Sequence, residues 1–218
     1  MDKETIYQGL IDKAISPEEL AHRAIRTPDL IPLLLAAMQE KPAAVRYGCQ
    51  KALRIVVDEE PDLLAESFDL WLEMLEHQQN IFQWQALYML AGLTSVVAEG
   101  RMEASLDRYF ARITGPVMIT ANNAIKGSVR IVKAKPGLAE PVLQHILRAE
   151  RGSYESQTCY EIVMGHAMKA FYAIRKWVQH PQLLYDFALR HQDYQHPLPK
   201  SAAPKLIARL GKDYSLAG

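Results

Sequence analysis

Features of secreted and membrane-embedded proteins are scarce in this sequence. Its 218 residues include two cysteines, Cys49 and Cys159, and both fall within apolar helical patterns. That pattern favours small core thiols in a reducing compartment over a disulfide. No run approaches the roughly 18 apolar residues that a membrane-spanning helix needs. The N-terminus, Met1 to Glu4, lacks the apolar stretch of a signal peptide, so we expect a soluble, cytoplasmic protein without membrane contact.

Net charge and catalytic motifs are missing as well. The 25 basic and 25 acidic side chains cancel, so the total charge favours no class of partner. Neither His-Glu-x-x-His, a glycine-rich phosphate loop nor Gly-x-Ser-x-Gly occurs among the residues. His166 lies two helical turns from Cys159, a spacing that fits a packed core histidine better than a Cys-His site. The sequence therefore predicts no catalytic residue, no metal site and no cofactor.

What the sequence has in abundance is helical periodicity. Apolar residues recur at i, i+3, i+4 and i+7 almost throughout, and the strict alternation of a strand is essentially absent. Prolines stand at or near the expected helix starts, where a missing N–H is tolerated. These prolines are Pro28, Pro42, Pro61, Pro116, Pro136 and Pro181. The pattern predicts an all-α protein.

A weak repeat runs through this helical pattern. A small residue is followed four positions later by a large apolar one, in successive steps of 37, 35, 46 and 35 residues. A period near 35 is typical of stacked helical hairpins. The long step coincides with a polar stretch at 150–157, which we interpret as an inserted loop. The five pairs are Cys49/Leu53, Ala86/Leu90, Ala121/Ile125, Ala167/Phe171 and Ala202/Leu206.

The repeat predicts a single domain over 1–218. We expect an N-terminal helical cap at 1–26, about five hairpins over 27–211 and a tail at 212–218. The second helix of each hairpin, called here the inner helix, carries the small/large pairs. His191–Pro199 is predicted to be a loop that Pro197 and Pro199 hold extended. The predicted pairs are 28–39 with 43–58, 62–76 with 80–97, 102–113 with 117–134, 137–150 with 158–178, and 181–191 with 201–211.

Two segments carry a resemblance to a known superfamily. The run Val-Arg-Tyr-Gly-Cys-Gln-Lys-Ala-Leu at 45–53, preceded by Pro42, resembles the second helix of a HEAT repeat. The stretch 113–121 is similar to uncharacterised microbial HEAT-like proteins of the armadillo type. Over about 28–211, this resemblance implies a right-handed α-solenoid whose inner helices line the concave side. It implies no biochemical activity.

Charge is segregated between the two helices of the hairpins. The inner helix at 117–135 carries Lys126, Arg130, Lys133 and Lys135 without an acid. The outer helix at 62–76 carries five acids without a base. Cationic stripes on helices are commonly just the solvated face, and acidic runs such as Asp58-Glu59-Glu60 suit an exposed helix end.

The inner helices nevertheless place cations, amides and aromatic rings on shared faces. Asn122, Lys126 and Arg130 are spaced by four residues and share one helical face. Cations interleaved with aromatic rings suit an anionic partner that has flat groups. The predicted binding surface on the concave face comprises Arg46, Tyr47, Gln50, Arg54, Trp84, Tyr88, Asn122, Asn123, Lys126, Arg130, Lys169, Tyr172 and Lys176.

These residues favour a non-catalytic binding scaffold. Its partner would be an acidic protein segment or, as a second class, nucleic acid, and nothing in the residues decides the oligomeric state. The alternative is a HEAT-like DNA glycosylase that acts on alkylated purines, since such enzymes use a basic concave groove with aromatics and a carboxylate. On the inner polar stripes only the remote Glu161 offers that carboxylate.

Overall fold

The computed structural model describes residues 1–214, and that part of the chain contains no β-strand. It therefore confirms the all-α prediction. Within residues 1–214, thirteen α-helices carry the fold, with five short 3₁₀ segments between some of them. The helices are α1 (Lys3–Ile11), α2 (Pro17–Arg26), α3 (Ile31–Ala37), α4 (Ala43–Glu59), α5 (Phe68–Met74), α6 (Asn80–Leu93), α7 (Arg101–Ala104), α8 (Leu106–Tyr109), α9 (Met118–Ala134), α10 (Ala139–Leu147), α11 (Gln157–Ile174), α12 (Pro181–Arg190) and α13 (Pro197–Tyr214).

Proline starts many of the shorter helical segments. Pro28, Pro61 and Pro136 each open a 3₁₀ segment that leads into α3, α5 or α10. Pro17 and Pro181 are the first residues of α2 and α12. Proline suits these positions because its fixed φ is helical and its missing N–H would have no intrahelical partner there. The outer helices are accordingly shorter than predicted, and the one expected at 102–113 is divided into α7 and α8.

The long helices pack against one another in chain order. Helix α4 contacts α6, α6 contacts α9, α9 contacts α11, and α11 contacts α13. The shorter helices α3, α5, α10 and α12 pack beside these long ones, while α1 and α2 both pack against α4. The buried apolar side chains form one continuous core that extends from Ile6 to Leu210.

The repeated small/large pairs lie at the interfaces between these helices. The first four small residues and all five large ones have 0% of their surface exposed, and Ala202 has 7%. A small side chain allows close approach of a neighbouring helix, and the large one a turn later fills the adjoining space. The sequence repeat therefore marks the buried face of each long helix.

Polar links also recur at the spacing of one hairpin. Glu140 Oε2 accepts a hydrogen bond from the backbone N–H of Gln179 at 3.0 Å, across 39 residues. Glu161 Oε2 accepts one from the N–H of His196 at 2.9 Å, across 35 residues. Both N–H groups stand just before a helix, where donors lack intrahelical partners. Carboxylates from one hairpin thus satisfy donors at the start of the next.

Two expectations about the C-terminal part are wrong. The predicted loop at His191–Pro199 ends earlier, because α13 begins at Pro197. Pro197 and Pro199 fall in its first turn, where proline is tolerated. The helix also continues into the expected tail as far as Tyr214, whose hydroxyl donates to the carbonyl of Arg175 at 2.8 Å. The rest of that predicted tail, 215–218, lies outside the described residues.

No helix in residues 1–214 combines the length and the apolar character needed to cross a bilayer. The two longest, α11 and α13, each have 18 residues and carry charged side chains.

Candidate functional site

Helices α4, α6 and α9 enclose a groove of about 360 Å³, called here the central groove. Six of the thirteen predicted binding residues line it, so the sequence pattern identified much of its wall. The full lining is Arg54 from α4, Trp84, Tyr88 and Ala91 from α6, and Asn123, Lys126, Gly127 and Arg130 from α9.

On α9, the row of residues that faces the groove begins one residue later than the predicted polar stripe. Asn123, Lys126 and Arg130 line the groove at spacings of three and four. Asn122, which the sequence placed on the same polar stripe, is only 7% exposed. Its side-chain oxygen is buried without a hydrogen-bond partner among the described residues. Asn122 is therefore not part of the open groove wall.

Asp58 adds a carboxylate that sequence reasoning assigned to a solvated helix end. The guanidinium of Arg130 forms an ion pair with Asp58 and also donates to the carbonyl of Val57 at 2.9 Å. The Tyr88 hydroxyl donates to the other carboxylate oxygen at 2.6 Å. Burial and this hydrogen bond raise the pKa of Tyr88. The available signal was that Asp58 follows Arg54 by four residues and so shares its face.

Arg54 is held by a network between α4 and α6. Its Nε donates to Gln85 Oε1 at 2.6 Å, and Gln85 Nε2 donates to the carbonyl of Gln50 at 3.1 Å. Burial lowers the pKa of Arg54. Gln50 is itself 4% exposed, and its side-chain nitrogen has no partner in residues 1–214. Gln50 therefore lies beneath the surface on which the sequence placed it.

The predicted aromatic residues are engaged within the protein. An arginine guanidinium over a tyrosine ring is a cation–π contact, and each of the three predicted tyrosines has one. The indole N–H of Trp84 donates to Thr120 Oγ1 at 2.9 Å. These rings are therefore fixed, and cations cover part of their faces. The distances from guanidinium carbon to ring centroid are 5.0 Å for Arg46 and Tyr47, 4.8 Å for Arg54 and Tyr88, and 4.6 Å for Arg175 and Tyr172.

A second, smaller cavity of about 130 Å³ lies between α11 and α13. Predicted residues Lys169 and Tyr172 line it together with Ser201 and Lys205, which sequence reasoning did not select. Met168 and Ala202 complete its lining. The cavity joins a cationic rim to apolar surface.

His166, on α11, lies near one lysine from each cavity. Burial, together with the charges of Lys126 and Lys169, lowers its pKa to about 4. The imidazole is therefore neutral at pH 7.

Most predicted cations have no anionic partner. Of Arg46, Arg54, Lys126, Arg130, Lys169 and Lys176, Arg130 alone forms an ion pair within residues 1–214. Arg46, Tyr47 and Lys176 line neither cavity, and Lys176 lies in the 3₁₀ segment after α11. Two acids of the predicted outer helix at 62–76 do have cationic partners, since Asp69 pairs with Arg101 at 2.7 Å and Glu76 with Arg112 at 3.8 Å.

The cysteines and acidic side chains form no evident reactive centre. Cys49 and Cys159 are both free thiols, and burial raises the pKa of Cys49 to about 12. Thiolate is the nucleophilic form, so Cys49 is unreactive in the folded state. In the part of the chain that the structure describes, no three histidine, cysteine, aspartate or glutamate side chains are grouped to hold a metal ion.

Comparison with protein-family models, with curated proteins and with solved structures found no match to this chain. The geometry and charge of the two cavities are therefore the basis for a function.

Proposed function

We propose that the chain is a right-handed HEAT-like α-solenoid, a single repeat domain in which α1 and α2 cap the first hairpin. Two observations support this arrangement. The long helices contact one another in chain order, and hydrogen bonds recur at separations close to one repeat. In a solenoid each hairpin contacts mainly its neighbours, and the inner helices present an extended surface.

We further propose that this surface is a binding scaffold for an acidic protein segment. The observation that carries the proposal is the central groove, where Arg54, Lys126 and Arg130 line one space and, among residues 1–214, Arg130 alone has an ion-pair partner. Exposed Lys169 and Lys205 continue the cationic surface beyond it. Hydrogen bonds from charged donors to carboxylates are short and strong, so a chain with several carboxylates gains from each cation it meets.

The aromatic contacts favour protein over nucleic acid. Proteins that bind single strands stack bases on aromatic faces. Here the ring of Tyr88 has Arg54 at 4.8 Å and Arg130 at 5.8 Å, and Arg175 covers Tyr172. Carboxylates need cations and hydrogen-bond donors but no free ring. An acidic segment can therefore bind the cations and donors of the groove without displacing arginine from the tyrosine rings.

The test is a titration of the full chain at two salt concentrations. The probes are a fluorescent peptide rich in Glu and Asp, its Gln/Asn counterpart of equal length, single- and double-stranded DNA, and RNA. We expect the acidic peptide to bind best and its affinity to fall with salt, because exposed charges are screened. Binding that is insensitive to salt, or a preference for nucleic acid at equal charge, contradicts the proposal.

Asp58 is the observation that favours the glycosylase alternative, because it supplies a carboxylate close to the groove. The ion pair with Arg130 and the hydrogen bond from Tyr88 weigh against that role. A carboxylate that is already neutralised contributes less to stabilising a developing positive charge on a sugar. We expect no release of methylated purines from alkylated DNA, and release that Asp58→Asn abolishes would support the enzyme instead.

A further inference from the structure

We propose that Asp58 is an internal competitor for the central groove, and that a carboxylate of the bound partner replaces it on Arg130 and Tyr88. This inference rests on the proposed binding of an acidic segment. It adds that the free protein keeps part of its site occupied by its own side chain, so that binding requires an exchange of carboxylates.

The surroundings of Asp58 resemble those of a bound carboxylate ligand. One oxygen forms the ion pair with Arg130, and the other accepts the Tyr88 hydroxyl at 2.6 Å. Arg130 belongs to α9 and Asp58 to α4, 72 residues earlier, so the contact spans the intervening helix α6. At Gly92 of α6, an added Cβ would lie 3.0 Å from the guanidinium carbon of Arg130. A glycine therefore leaves room for the arginine to reach across.

The contact is accessible enough to be exchanged. The side chains of Arg130 and Asp58 are 34% and 43% exposed. Ion pairs with this much solvent access contribute little to stability, because water and salt screen them. Arg130 has a second anchor in the carbonyl of Val57 at 2.9 Å. The guanidinium can therefore stay in place while its carboxylate partner changes.

Lys126 provides a first contact for the incoming segment. It lies one turn before Arg130 on α9, lines the same groove, is exposed, and has no ion pair among the described residues. A segment with two nearby carboxylates can pair with Lys126 first and then compete with Asp58 for Arg130. A segment with one carboxylate gains only the first contact. The groove thus selects clustered acidic residues.

The experiment compares Asp58→Asn with Glu59→Gln. Both variants remove one negative charge from the end of α4, but Asp58 contacts Arg130 and Tyr88, whereas Glu59 faces His22 at 3.6 Å. We expect Asp58→Asn to bind the Glu/Asp-rich peptide about fivefold more tightly or better, a typical size for a coupling of this kind. We expect Glu59→Gln to change the affinity by less than about twofold, as an exposed charge does.

The double variant Asp58→Asn/Arg130→Gln identifies the contact responsible. If the gain arises from a freed Arg130, the double variant binds no better than Arg130→Gln alone. Circular dichroism verifies the fold of each variant. An independent measurement on the unaltered chain follows the Arg130 Nε–H signal by NMR during the peptide titration. That signal moves if the partner replaces Asp58.

The outcomes separate this inference from the proposed function. Equal affinities for Asp58→Asn and Glu59→Gln, or an unmoved Arg130 signal while peptide binds, overturn the exchange and leave the scaffold intact. Peptide binding by Asp58→Asn alone means that Asp58 closes the groove and that no partner carboxylate displaces it, which also overturns the exchange. If neither the unaltered chain nor Asp58→Asn binds any acidic peptide, the proposed function is overturned and, with it, the exchange.

Discussion

His166 illustrates how single residues in this surface depend on their neighbours. Its ordinary pKa is 6.5, whereas burial and the charges of Lys126 and Lys169 lower the folded-state pKa to about 4. Between these two pH values the unfolded chain binds more protons than the folded one. Stability therefore rises with pH through this window, and it is lost as the pH falls from 6.5 toward 4.

This linkage predicts a defined effect of removing the imidazole. We expect the free energy of unfolding to be lower at pH 5 than at pH 7, and His166→Gln to reduce that difference. Urea titrations at both pH values measure it. Burial also lowers the pKa values of His145 and His191, which remain in the variant, so part of the pH dependence persists. If His166→Gln left the difference in the free energy of unfolding between pH 5 and pH 7 unchanged, the lowered pKa would not belong to His166.

At the scale of the element, the approach of α6, α8 and α9 depends on Gly127. A Cβ added there would lie 2.0 Å from the hydroxyl oxygen of Tyr109 and 3.1 Å from the Cβ of Ala91. Tyr109 is buried, and its hydroxyl donates to the carbonyl of Leu87 at 3.2 Å. The helices therefore meet through a position that only glycine fits.

Gly127→Ala should accordingly destabilise the fold. Overpacking of a core costs about 1–3 kcal/mol, whereas the better helix propensity of alanine recovers at most about 1 kcal/mol. We expect a lower midpoint of urea unfolding, monitored by tryptophan fluorescence. The matched control is Gly137→Ala, where the added Cβ meets nothing within 4 Å. If both variants were equally stable, Gly127 would not govern the helix packing.

At the scale of the whole molecule, a chain with no net charge carries lysines on three successive long helices that have no ion pair among residues 1–214. Lys126 lies on α9, Lys169 on α11 and Lys205 on α13. We predict that replacing all three by Gln weakens acidic-peptide binding and flattens its dependence on salt, because fewer charges are screened. The control removes the same charge from exposed positions near the N-terminus, with Lys13→Gln, Arg26→Gln and Lys41→Gln. Equal losses in the two triple variants would indicate a diffuse charge effect.

Sequence reasoning identified the residues of the central groove better than their contacts. Arg54, Trp84 and Tyr88 were selected from helical spacing alone, and all three line the groove. The sequence pattern does not indicate the role of Asp58, because its partner Arg130 comes from α9, two long helices further along the chain. Asn122 and Asn123 are both predicted to face the partner, and helical spacing does not separate them, because at about 100° per residue they lie on opposite sides of Lys126. The rotation of α9 in the fold buries Asn122 and leaves Asn123 on the groove wall.

The amino-acid pattern alone establishes that the chain is helical and which face of each long helix is buried. Both properties follow from local spacing, since apolar residues at helical period must share a face that excludes water. Three features come instead from the packing of the helices: which cations share a groove, which rings an arginine covers, and the contact between Asp58 and Arg130, which are 72 positions apart. They depend on how far each helix is rotated and shifted against its neighbours, which no local pattern encodes.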